Sequence, residues 1–203
     1  MVTVVAIAGG LALGPIDLLM QRSLPAPWAN LANSSAVWAI GAFGIGAWVR
    51  AGRWRPAVAG VVLLLVAVES YYVAATLVQH DDLSTMWTAT TELWLLFGTL
   101  AGTVFGTAGA WSRGSNRLLR MLGLALPCAV LLAEAAVLVH RSGNQDAAYR
   151  ADSLQTAAIE AVLGIVLTLL LGRDTRQRLG GLAAGLPLAA IGFGAFVVAG
   201  FGG

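Results

Sequence analysis

Four glutamates, Glu69, Glu92, Glu134 and Glu160, stand inside apolar stretches of the chain, each in a different stretch. A charge near the middle of a bilayer costs about 3 kcal/mol or more unless it is paired, protonated or turned to a polar cavity. Acids in such places hold a cation, carry a proton, or bond helices to one another. Desolvation favours the uncharged acid, and an uncharged acid kept from water can protonate a substrate. Asp17 and the amides Asn30 and Asn33 are the other polar groups near the same stretches. Trp38, Tyr72 and Trp94 add ring faces, which stabilise a positive charge whether it sits on a quaternary ammonium or on a migrating carbocation.

The elements that must position these groups are membrane helices. The 203 residues are 58% hydrophobic and only 11% charged, with a mean hydropathy of +0.80. A soluble domain carries about 25% charged residues. About 20 apolar residues cross the hydrocarbon, and seven segments qualify, near 2–20, 33–50, 56–79, 86–111, 119–140, 154–172 and 180–200. The expected fold is all-α: a polytopic bundle of about seven transmembrane helices forming one domain over 1–203. Residues 2–20 lack a basic leader and read as the first span rather than as a cleaved signal.

Every one of the twelve basic residues is arginine, and their placement orients the bundle. Nine (Arg50, Arg53, Arg55, Arg113, Arg117, Arg120, Arg173, Arg176, Arg178) fall in the connections after the second, fourth and sixth segments. Three (Arg22, Arg141, Arg150) fall in the alternate connections. Basic loops stay in the cytoplasm, so the N-terminus is expected inside and the protein in a bacterial plasma membrane. All four glutamates then lie in the outer half, about 9–15 Å below the interface at 1.5 Å per residue. That common depth suggests one site. Interhelical bonding is the structural alternative.

Periodicity groups the polar residues. Asp152, Thr156, Glu160 and Gly164 recur every four residues on one stripe, Thr88, Glu92, Thr99 and Thr103 share another, and Glu69, Tyr72 and Thr76 a third. Ser34 and Ser35 read as helix caps, while Asn30 and Asn33 face the cavity. Trp28 and Trp87 read as interfacial anchors. Gly98, Gly102, Gly106 and Gly109 form a small-residue face for close helix packing, as do Ala42 and Gly46. Pro127 is expected to kink the fifth segment and Gly14-Pro15 to break the first. The Asp81-Asp82 pair is expected to cap the fourth segment. Cys128 reads as a small buried hydrophobe. His80 and His140 stand at segment ends and carry no specific signal.

Several classes are excluded or unsupported. One cysteine allows no internal disulfide or thiolate cluster. There is no phosphate-binding or dinucleotide glycine motif, no His-Glu-x-x-His, and no lysine for a Schiff base. No cofactor or metal is called for, and a net charge of +2 with dispersed arginines does not suggest nucleic acid. The partners expected are membrane lipids and a lipophilic small molecule.

Two resemblances follow from these residues. The run Ala32-Asn33-Ser34-Ser35-Ala36-Val37-Trp38, with Tyr71-Tyr72, Phe105-Gly106-Thr107-Ala108-Gly109 and Ile159-Glu160, resembles a family of small actinobacterial multi-pass membrane proteins of unassigned function. The helix count, embedded acids and aromatics are similar in architecture to integral-membrane terpene cyclases of meroterpenoid pathways. Those enzymes carry an Asn-x-x-Trp-Glu element that this chain lacks; Glu69-Ser70-Tyr71-Tyr72 and Glu92-Leu93-Trp94 are its nearest pairs. The resemblance implies a cyclase in which glutamic acids protonate a polyprenyl chain and Tyr72, Trp38 and Trp94 stabilise the cation. The other reading is an outward-opening transporter or binding subunit for an organic cation or metal ion, by analogy with the small substrate-binding subunits of energy-coupling-factor importers.

Overall fold

The computed structural model describes residues 1–49 and 52–201. Arg50, one of the nine basic residues above, lies outside them. The described residues form α1 (Val2–Ser23), α2 (Trp28–Ala32), α3 (Ser35–Val49), α4 (Arg55–Gln79), a 3-10 turn (Leu83–Trp87), α5 (Ala89–Arg113), α6 (Arg117–Ser142), α7 (Ala147–Leu171) and α8 (Thr175–Phe196). Six spans, counting α8 onward to Gly200, are long and apolar enough to cross a membrane. The seventh differs from expectation. The segment near 33–50 is a 15-residue helix, α3, preceded by the short α2. At 1.5 Å per residue α3 reaches only about 22 Å. The chain breaks at Asn33-Ser34, so the segment expected as one span is folded in two pieces.

Local chemistry sets the ends. Thr88, Asn116, Asp146 and Asp174 each accept a hydrogen bond from a first-turn amide of α5, α6, α7 and α8, satisfying donors that a helix cannot satisfy itself. Asp82 accepts from the Ser84 amide at 2.7 Å and so caps the 3-10 turn rather than α5. That bond holds the Asp82 carboxyl below its ordinary range. Neither Gly14-Pro15 nor Pro127 interrupts its helix: α1 and α6 run continuously through them.

Two groups of helices meet chiefly where α5 packs on α6, with the broken α2–α3 segment alongside. One comprises α1, α3, α4 and α5; the other α6, α7 and α8. Within the first, α5 presents its glycines to the backbones of its neighbours. A Cβ at Gly102 would strike Val61 and Gly60 of α4, at Gly106 it would strike Pro56, and at Gly109 it would strike Phe43 and Ala47 of α3. Gly46 of α3 meets Gly106 in the same way. Gly98 has ordinary room, so the small-residue face is needed at three of its four positions. The opposite stripe of α5 points out of the bundle: Thr99 and Thr103 are exposed, and each donates its hydroxyl to a carbonyl one turn back. α6 is the hub of the second group, packed on α7, α8, α5 and α3.

Candidate functional site

The break between α2 and α3 exposes the amides of a helix N-terminus inside the bundle, and Glu134 of α6 closes it. The Glu134 carboxylate accepts from the Ala36 amide at 2.7 Å, the Ser34 hydroxyl at 2.9 Å, and the Ser35 amide and hydroxyl at 3.2 Å each. The positive end of the helix dipole faces the acid, which favours a negative charge there. Ser34, 1% exposed, also accepts from the Val37 amide, so the capping role read for it holds beside its bond to Glu134. Discontinuous membrane helices present their N-terminal amides to anionic groups in this manner.

Glu160 of α7 stands against the same point. It is 1% exposed, its carboxyl faces Glu134 and Ser34, and its Oε2 has no hydrogen-bond partner. One turn along α7, Thr156 accepts from the Asn30 amide of α2 at 3.3 Å and donates to the Asp152 carbonyl at 2.9 Å. Asn30 therefore ties α2 to α7 and does not line the cavity described next.

That cavity, of about 370 Å³, is lined at its polar end by Asp17, Asn33, Ser35 and Asp81 and at its sides by Trp38, Tyr71, Tyr72, Trp94 and Phe97. The rings meet edge to face: Trp38 and Tyr71 at 6.5 Å between centroids, Tyr71 and Tyr72 at 5.6 Å, Trp94 and Phe97 at 6.0 Å. Such T-shaped pairs fix one another's orientation. Asp17 is 5% exposed, and its Oδ2 accepts from the Gln21 amide at 3.0 Å. Its Oδ1 has no partner within hydrogen-bonding geometry, the Trp38 indole standing close but outside it. Asp81, exposed in the loop after α4, marks the mouth.

A second cavity, of about 280 Å³, adjoins the first through Ser35, Ala39, Trp94, Phe97 and Ala101. Its remaining lining comes from α5, α6, α8 and the turn that follows and is wholly apolar, Leu126, Val130, Leu188 and Phe196 among it. α5 and α8 both pack on α6 with little contact between them, and this chamber fills the gap.

The nominated residues separate into three sets. Glu134 and Glu160 come together. Asp17, Asn33, Trp38, Tyr72 and Trp94 come together around the larger cavity. Glu69 and Glu92 join neither set. Glu92 lies in the first turn of α5 with its side chain outside the bundle, because α5 starts only at Ala89 and its stripe with Thr99 and Thr103 faces away from the core. The expected depth of Glu92 is corrected accordingly. Glu69 is half-buried on α4 and lines neither cavity. The four glutamates are therefore not one site. Sequence reasoning left out Ser34, Ser35, Tyr71, Phe97 and Asp81. Phe97 is one turn from Trp94, and Tyr71 directly precedes Tyr72, so pairing the aromatics by helical spacing would have found both.

No curated protein and no solved structure matches the chain. One family model does, over residues 1–200, and the chain belongs to that family, whose description reads Family of unknown function (DUF6518).

Proposed function

We propose that this protein binds a lipophilic organic cation at the outer side of a bacterial plasma membrane, as a transporter or a substrate-binding subunit. The carrying observation is Asp17: a nearly buried carboxyl with an unpartnered oxygen, beside a cavity walled by five aromatic rings. A buried charge without a partner is costly, and a cationic group would supply the partner while the rings face it. The apolar chamber suits the hydrocarbon part of the same molecule. A metal ion is less well served. Among the described residues no three of His, Cys, Asp and Glu gather as ligands, and hard cations take six or more oxygens.

The test is binding of decyltrimethylammonium to the protein in lipid nanodiscs, read by tryptophan fluorescence. Trp38 and Trp94 lie in the wall, so saturable quenching is expected. Asp17→Asn should weaken binding at least about ten-fold, the equivalent of 1.4 kcal/mol. Equal binding by wild type and Asp17→Asn refutes the assignment.

Cyclisation of a polyprenyl chain is the second reading, favoured by the apolar chamber that shares a wall with the aromatic cavity. Asp17, rather than any glutamate, would be its acid, giving a proton to a terminal alkene and recovering one when the final cation collapses to an alkene. A cyclised product by mass spectrometry from wild type, absent with Asp17→Asn, would establish it in place of the first.

A further inference from the structure

Apart from the cavity, the most unusual feature is the Glu134–Glu160 pair, which the cation reading does not use. The carboxylate of Glu134 receives four hydrogen bonds and donates none, as an ionised acid does. Glu160 faces it, 1% exposed, with Oε2 unpartnered. Among the described residues no cation is paired with either. From α2 and α3 the facing groups are Asn30, Ser34 and Ser35, none of which titrates. On α6 the other charged or titratable groups are Arg117 and Arg120 in its first turn, Arg141, which is exposed in its last, and Cys128 and His140. Cys128 is packed against Gly164 and Gly185, and His140 stacks on Phe193. On α7 itself Asp152 is two turns from Glu160, and Arg150 is engaged by the carbonyls of Ser142, Gly143 and Gln145. α8 holds its arginines, Arg176 and Arg178, in its first turn, at the other end of α7 from Asp152. Two facing carboxylates with no counter-charge are not both ionised away from water.

We propose that Glu134 and Glu160 form a proton site, Glu160 holding the proton and Glu134 the charge, and that the proton is released when a cation enters the neighbouring cavity. The link is Ser35. Its amide and hydroxyl bond Glu134, and its side chain lines both chambers. A positive charge beside Ser35 stabilises the doubly ionised pair, so the O–H bond of Glu160 breaks and its proton leaves. The stripe of Thr156 and Asp152, with Asn30 beside it, leads from Glu160 toward the loop after α6. Acids so placed in membrane proteins relay protons. The proton site stands on the pair alone; the coupling rests on the cation reading of the cavity.

The experiment is infrared spectroscopy of protein carrying carbon-13-labelled glutamate, followed by proton release on ligand addition. The wild type should show the C=O stretch of one protonated glutamic acid at neutral pH. Glu160→Gln should abolish it and Glu134→Gln should retain it. Absence of the band in the wild type, or its survival in Glu160→Gln, overturns the proton site without reference to any ligand. In weak buffer with an indicator dye, decyltrimethylammonium should then release about one proton per molecule bound, and affinity should fall about ten-fold for each unit by which pH is lowered while the site is protonated, since linkage is reciprocal. Glu160→Gln should bind with no release. Wild-type binding without proton release overturns the coupling. No binding at all overturns the cation reading, and with it the coupling, and leaves the infrared result to decide the proton site.

Discussion

Replacing Glu134 with leucine removes the acceptor for two backbone amides, Ser35 and Ala36, that no other group on α3 can satisfy. Each buried, unpaired amide costs about 1–3 kcal/mol, so the pair costs about 2–6 kcal/mol. For a chain of this size, 1 kcal/mol moves the midpoint of unfolding by about 2–4 °C, so Tm should fall by roughly 5–20 °C. Glutamine keeps a carbonyl for one or two of the donors but turns an NH2 toward the rest, and its Tm should lie between the two. Ser34→Ala loses a cap and one bond to Glu134, and should cost about 1 kcal/mol. The assay is thermal unfolding in one detergent, followed by retention of the monodisperse peak on gel filtration. A Glu134→Leu midpoint within about 2 °C of wild type refutes the claim that this carboxylate holds the broken helix.

Other outcomes follow from the same geometry. Gly102→Val should abolish the folded species, because its side chain meets α4 backbone, whereas Gly44→Ala, with nothing within 4 Å, should unfold like wild type; gel filtration after expression distinguishes them. Asp82 and Asp174 have carboxyls held below the ordinary range by amide hydrogen bonds, so their stabilisation is fully present above the unfolded value near pH 3.9 and is lost as pH falls through the lower folded value. Unfolding curves should therefore be flat in these two groups from about pH 5 to 8, and Asp174→Asn should weaken the acid-side decline. With buried Cys128 unreactive, an impermeant maleimide should label Asn144→Cys on intact cells and Gly114→Cys only after permeabilisation; the reverse would invert the proposed orientation.

The class of fold was legible because hydropathy and length decide membrane helices almost alone, and α4, α5, α6 and α7 stand close to the segments expected. The broken span was not, since Asn33-Ser34-Ser35 supports an ordinary cap as well as an internal one. Only the acid that reaches it from α6, a hundred residues away, distinguishes the two. The stripe grouped by four-residue recurrence on α7 is buried at Thr156, Glu160 and Gly164, a polar and narrow surface that α2 and α6 cover. The stripe on α5 misled for a reason of the same kind. A helix with glycines on one side and threonines on the other can bury either, and a threonine hydroxyl that returns to its own backbone needs no partner in the core. The burial of Asp17 does not follow from its position in sequence, near the end of its apolar segment. Its burial depends on how α1 lies against α4, where Ser70 donates to the Gly10 carbonyl at 2.9 Å.

The glycine contacts of α5 have a mechanical consequence. Where backbone touches backbone there are no rotamers to exchange, so α3, α4 and α5 move only as one block. Both chambers are bounded on one side by that block, and the wall opposite in the apolar one is α6 and α8. On the transport reading, gating falls to a rocking of α6, α7 and α8 about the one place where α6 also meets α5 backbone to backbone, Gly123 against Ala108 and Ser112, with the carboxylate of Glu134 as the latch at the far end of the same interface.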